Sequence, residues 1–362
     1  MSSSEPSETV SARPPDTGPG DSRSRLAYLD RLRVAAAMTV VMIHVAAAGW
    51  YDTPPASADW QAMNVYDSLS RWSVPAFFMI SGALFLSPGR SDPPSRIWRR
   101  NISRLLVMYL FWSAVYTVLG SGIQHSRDPR YLLQHLWDGH YHLWYLPAMA
   151  GVYALVPLLQ RIVESRELAR YFVLITGVAS VLVPTLGLVP LAGHLSADLV
   201  SRVAPFLVAG FPFYFVLGHL LHEYGQHLPR WLPPTVYASA AVGALVTIAG
   251  TAWISMGAGK PISLYGYLTL GVVAMSVGVF LAVRRAADGS PTSPRLVQIA
   301  RWTLPIYLIH PAFLRLVQEC HITPASLPAA VGIPLTWVIV LALSALASAL
   351  LVRIPFANRW LV

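Results

Sequence analysis

Residues 28–50 read Tyr28-Leu-Asp30-Arg31-Leu-Arg33-Val-Ala-Ala-Ala-Met-Thr-Val-Val-Met-Ile-His44-Val-Ala-Ala-Ala-Gly-Trp50. A run of about 20 predominantly apolar residues is long enough to cross a hydrocarbon core as a helix, and its arginine-rich start belongs on the cytoplasmic side. Two ionisable residues mark this helix. Arg33 and His44 are eleven positions apart, which leaves them ~20° apart around the helix and ~16 Å apart along it, so they line one stripe. Asp30, three residues before Arg33, falls on a neighbouring part of the same face, within reach of the guanidinium. An ionisable group at membrane depth is costly and by default faces a cavity or a partner. The imidazole of His44 titrates near neutrality and can take a proton from a hydroxyl as that oxygen attacks a carbonyl. On physics alone, a neutral His hydrogen-bonded to a neighbouring helix accounts for the position equally well.

The whole chain extends this pattern. Of 362 residues, 55% are hydrophobic and 12% charged, and the mean hydropathy is +0.51, where a soluble domain carries about a quarter charged residues. Apolar runs fall near 29–49, 69–87, 102–120, 143–161, 169–189, 203–221, 235–255, 264–283, 301–318 and 332–352. They predict an all-α, polytopic transmembrane bundle of about ten spans with short connections and no large soluble domain. Pro75, Pro147, Pro184, Pro212 and Pro305 lie inside these runs and are read as kinks, which bilayer helices tolerate. Residues 1–24, rich in Ser, Pro, Gly and acid, carry too little apolar surface to order and are expected to be a disordered cytoplasmic tail ahead of a membrane domain over 25–362. Ala46-Ala47-Ala48 superficially resembles a cleavage site, but the basic start lies too far in for a secretory signal, and the first helix is expected to be retained.

Charge placement orients the bundle. With the N-terminus inside, 20 of the 26 cationic residues fall on inner segments, and only Arg71, Arg127, Arg130, Arg202, Lys260 and Arg315 fall outside. Both termini are therefore expected in the cytoplasm of a plasma, or inner, membrane. The net charge of +9 reads as topology, and no nucleic-acid partner is expected, because the basic residues sit between apolar runs. A single cysteine, Cys320, excludes an intrachain disulfide and a CxxC metal or redox site, and is read as a small filler near a helix end. His125, His135 and His140 lack carboxylates or thiols at ligand spacing, so no metal is expected. Arg71 is read as snorkelling at the outer surface, and Ser81 as a small residue that, with Gly82, lets helices pack closely. No fixed-period repeat and no inverted pair of halves is visible.

Further motifs recur in order: Pro75-Ala-Phe-Phe-Met-Ile-Ser-Gly82, Trp98-Arg-Arg-Asn-Ile-Ser-Arg104, His142-Leu-Trp144-Tyr145-Leu-Pro147, Phe213-Tyr-Phe-Val-Leu-Gly218 and Ile306-Tyr-Leu-Ile-His310-Pro311. Together with Arg33 and His44 spaced by ten residues, the chain resembles the acyltransferase-3 family of integral membrane acyltransferases over roughly residues 26–355. One departure is Met108 before Tyr109, where many relatives carry proline. The resemblance implies around ten helices, a cytoplasmic acyl-CoA donor used as substrate with no permanently bound cofactor, and a glycan or lipid-linked sugar as hydroxyl acceptor, with acetyl the expected group. It makes His44 the catalytic residue and Arg33 the second residue of the motif.

Arg99, Arg100 and Arg104 are candidates for the coenzyme A phosphates, since guanidinium forks match such oxyanions. Plain positive-inside anchoring is the competing reading. Trp144 and His310 are candidate substrate-binding residues, against an interfacial aromatic belt for Trp144 and packing beside Pro305 and Pro311 for His310. The rival function classes are a secondary transporter or glycan flippase, which would favour inverted repeats and broken helices, and a structural scaffold. The chain ends after its last apolar run, and no appended extracytoplasmic domain is expected.

Overall fold

The computed structural model describes residues 19–124, 128–182, 185, 210–287, 293–320 and 327–355. Among these, every regular element is helical: α1 (Pro19–Ala46), α2 (Ala58–Ser70), α3 (Ser73–Phe85), α4 (Ser103–Gln124), α5 (Pro129–Asp138), α6 (Tyr145–Val163), α7 (Arg166–Gly177), α8 (Gly210–Tyr224), α9 (Leu232–Ala258), α10 (Leu270–Ala286), α11 (Pro294–Glu319) and α12 (Ala329–Leu351). A short helix, Pro94–Arg96, and a π-helical stretch, Ile97–Ile102, lead into α4. Each of the ten apolar runs contains helix within its described part, although 264–269 is non-helical ahead of α10. Among the described residues, five segments are long and apolar enough to cross a bilayer: Ala27–Gly49, Pro94–Gly120, Tyr145–Val163, Leu232–Ala258 and Ala329–Leu351.

Burial in α9 and α12 is the reverse of a soluble helix. The inward stripe of α9 holds Gly243, Thr247, Thr251 and Ser255, and that of α12 holds Gly332, Thr336, Val340, Ser344 and Ser348. Val242, Leu245, Val246 and Trp253 on α9, and Leu346 and Leu350 on α12, face outward. Small and hydroxylated residues inside with large apolar ones outside suit a lipid surround, where backbone proximity and interhelical hydrogen bonds hold helices together. The chain is a membrane protein.

The same device appears at the α3–α8 crossing. A Cβ on Gly82 would sit 1.8 Å from the Phe215 carbonyl oxygen, and one on Gly218 would sit 2.2 Å from that of Met79. Only hydrogen fits there, as the reading of Ser81-Gly82 predicts. α1 runs through the middle of the bundle, packing on α2, α3, α10, α11 and α12. Its partners are tied by polar bonds: the Trp337 indole donates to the Met38 carbonyl at 2.8 Å, and the Asp59 carboxylate accepts from the Ala329 amide at 2.7 Å, at the N-terminus of α12, where an anion complements the helix dipole.

Three expectations need correction. The second apolar run is broken at Arg71–Trp72 into α2 and α3. Arg71 does not snorkel: it is partly buried and forks onto Asp67 at 2.7 and 2.5 Å, with Tyr265 4.5 Å beneath its guanidinium. An acid one turn earlier and an aromatic face compensate the charge inside the protein. Pro212 lies in a helix described only from Gly210, whereas Pro75 and Pro147 each occupy the third position of their helices, where a missing N–H needs no partner. They start helices, and the interior prolines are Pro157, Pro305, Pro311 and Pro334; Pro184 lies outside the described residues. α1 is described from Pro19 onward, and residues 1–18 lie outside the described residues. Cys320 caps α11 and is exposed.

Candidate active site

A cavity of about 610 Å³ opens along α1. Arg33, Arg104 and Arg301 line it, as do Ser81, Trp144, Tyr145, Tyr153, Tyr267 and Tyr307, and it reaches His44 and His142. The apolar stripe between the two α1 residues supplies Val40 and Ile43 to its wall, and α3 supplies Val74 and Phe77. Arg33 lies 3.8 Å from Asp30, which orients it. A second cavity of about 930 Å³ is lined by His44, Tyr51, Tyr116, Tyr131, His135, His140, Tyr141 and Arg315, among others. Among the described residues His44 alone borders both.

Four imidazoles meet at this junction. The ring of His310 stacks on His44 at 5.0 Å and 29°, and His142 stands edge-on at 6.4 Å from His44 and 5.5 Å from His310. His310 is fully buried in α11, and its Nδ1 lies 3.1 Å from the Ile306 carbonyl. Donation from Nδ1 to that carbonyl assigns the neutral tautomer with the Nε2 lone pair free. Among the described residues, Nε2 of His142 and of His310 are buried without a hydrogen bond. His142 Nδ1 lies 2.8 Å from His140 Nδ1.

The loop carrying His140 and His142 is held from several sides. Gly139 ends α5 at φ +71°, and a Cβ there would come within 2.8 Å of the Tyr109 hydroxyl. Tyr307 donates to the His142 carbonyl, and Tyr116 donates to that of Leu308 at 2.6 Å. Trp144 stacks on Tyr267 at 5.4 Å and 26°.

The arginine candidates separate. Arg104 reaches the central cavity, whereas Arg100 lines a distinct surface pocket with Arg90, Asp92 and Arg96. Arg99 is exposed and borders neither. In that pocket burial raises the Asp92 carboxyl, but ion pairs with Arg90 at 2.5 Å and Arg96 at 3.4 Å overcome it and hold the group below its ordinary value. Among the described residues no group of three or more His, Cys, Asp or Glu is placed to hold a metal ion; His125 lies outside them.

Sequence reasoning passed over Arg301, one of the 20 inner-side cationic residues, and gave His142 no role of its own. The signal for His142 was its place in the His142-Leu-Trp144-Tyr145 motif. A half-buried base between two cavities, one rimmed by arginines, can carry a group transfer between an anionic donor and a second substrate.

A family model described as an acyltransferase domain matches residues 26–353. No curated protein and no solved structure matches the chain. The family match lends nothing to the transporter or flippase reading.

Proposed function

The chain belongs to the acyltransferase-3 family of integral membrane acyltransferases, and from that premise we propose that it moves an acyl group, acetyl by expectation, from cytoplasmic acyl-CoA to a hydroxyl of an envelope glycan, glycolipid or glycosylated metabolite. The observation that carries the proposal is the position of His44, which among the described residues alone borders both cavities. The donor enters the arginine-rimmed cavity. Arg33, Arg104 and Arg301 meet the phosphates there, with Arg99 and Arg100, about a turn before Arg104, at the remaining anionic groups. The ~16 Å from Arg33 to His44 along α1 is similar in scale to an extended pantetheine arm, which brings the thioester to the imidazole. The acceptor hydroxyl arrives through the second cavity, on the outer side of an inner membrane crossed about ten times, with both termini inside.

His44 acts as general base, a role that contributes about 10²–10⁴-fold. Trp144 and His310 hold the reacting groups: the indole by stacking, and the His310 ring by confining His44 between itself and Tyr141, 5.1 Å away on the other substrate's side. The test is mass spectrometry of glycans and glycolipids from cells with and without the protein. A mass difference of one acyl group supports the proposal, and identical spectra under confirmed expression count against it.

A further inference from the structure

We infer that His142 is the general acid that protonates the departing thiolate and that it is recharged through His140; this rests on the acyl-transfer reading above. His142 is buried and borders the arginine-rimmed cavity, while its neighbour His140 borders the other. Their Nδ1 atoms are 2.8 Å apart, so one proton is shared between the rings and neither Nε2 is used in that bond. His140 is held in place by stacking on Tyr116 at 4.3 Å and 19°. Nε2 of His142 is buried with no hydrogen-bond partner among the described residues, and such an atom costs free energy unless a ligand or water meets it. The pair is a two-ring wire across the septum that separates the cavities.

Thioester transfer needs such a wire because its two proton events fall on opposite sides. In one step the acceptor O–H bond breaks, the new C–O bond forms, and the C–S bond breaks with its electron pair left on sulfur. His44 takes the hydroxyl proton and releases it to water in the outer cavity, which it also borders. In the other, Nε2–H of His142 goes to the sulfur, His140 passes its Nδ1 proton to His142, and His140 regains one at Nε2 from the outer cavity; exchange with water in the two cavities then returns both rings to their starting tautomers before the next turnover. The net change moves one proton from oxygen to sulfur, with no oxidant or reductant involved.

The experiment compares two donors on the purified full-length protein: acyl-CoA, whose thiolate needs a proton at neutral pH, and the acyl thioester of 5-thio-2-nitrobenzoate, whose thiolate does not. His142→Phe should lower kcat with acyl-CoA about a hundredfold, and the loss with the aryl thioester should be at least tenfold smaller. His140→Phe, which keeps a ring on Tyr116, should show the same donor dependence. If His142→Phe does not survive extraction, His140→Phe and His142→Gln carry the comparison. Equal losses with both donors, or wild-type kcat with acyl-CoA in these variants, would overturn the relay. Wild-type protein that transfers from neither donor would overturn the acyl-transfer reading itself, so the two failures are distinguishable.

Discussion

Replacing Gly82 by alanine adds one methyl group where the structure leaves none. Its carbon would lie 1.8 Å from the Phe215 carbonyl oxygen and 2.9 Å from the Phe215 Cα, whereas such a carbon settles about 3.3–3.6 Å from a carbonyl oxygen. The obstacle is backbone, so no side chain can rotate away, and α3 and α8 must part by about 1.5 Å. A gap of that size forfeits much of the dispersion energy along the crossing, including the stack of Phe78 on Phe211 at 4.4 Å. The expected cost is about 3 kcal/mol, the upper end of the range for overpacking. Gly218→Ala should cost a similar amount from the other helix, since its carbon would lie 2.2 Å from the Met79 oxygen. The double variant should cost clearly less than the sum, because one separation relieves both clashes. Gly151→Ala is the control: it meets nothing within 4 Å, and alanine is the better helix former by up to about 1 kcal/mol. Tryptophan-monitored thermal unfolding in detergent should place Gly82→Ala well below wild type and Gly151→Ala at or above it. Equal melting of Gly82→Ala and wild type would refute the helix crossing.

Arg104→Ala should raise the donor KM by about 10–150-fold, the worth of a lost charge-assisted hydrogen bond of about 1.5–3 kcal/mol, and Arg99→Ala by much less; equal effects in steady-state kinetics would argue against the cavity as the donor site. One alanine inserted between Ala37 and Met38 adds only ~1.5 Å but turns His44 ~100° from Arg33, so transfer should vanish. Four alanines restore the angle to within about 40° at a cost of ~6 Å, and recovered activity in that variant would show that Arg33 and His44 do not share one donor molecule. Asp92→Asn should lower thermal stability at neutral pH. Because the folded carboxyl is held below its ordinary value, the wild-type advantage is full above a pH of about 4 and fades as pH falls through the folded value; a difference that persists undiminished in acid would contradict the ion-pair account.

Helix positions were legible because apolar runs of membrane length declare themselves locally, and so was the Arg33–His44 stripe, which needs only the helical repeat. The break between α2 and α3 falls three to four residues before Pro75, whose missing N–H and ring interrupt a helix there; the pairing of Arg71 with Asp67 against Tyr265, nearly 200 residues away, was not legible, because it is made between distant segments. First-turn prolines were misread as kinks because an apolar run does not show where its helix begins. The meeting of His44, His142 and His310 on three separate segments has no periodicity to reveal it, and Arg301 looks in sequence like any other inner-side arginine. Tertiary packing supplies all of these.

Thiol release from acyl-CoA by purified His44→Ala protein, with an acceptor glycan present, tests the central claim most directly. Transfer should fall by at least about a hundredfold while folding and membrane insertion match the wild type. Near-wild-type turnover in that variant would contradict the account at its catalytic residue.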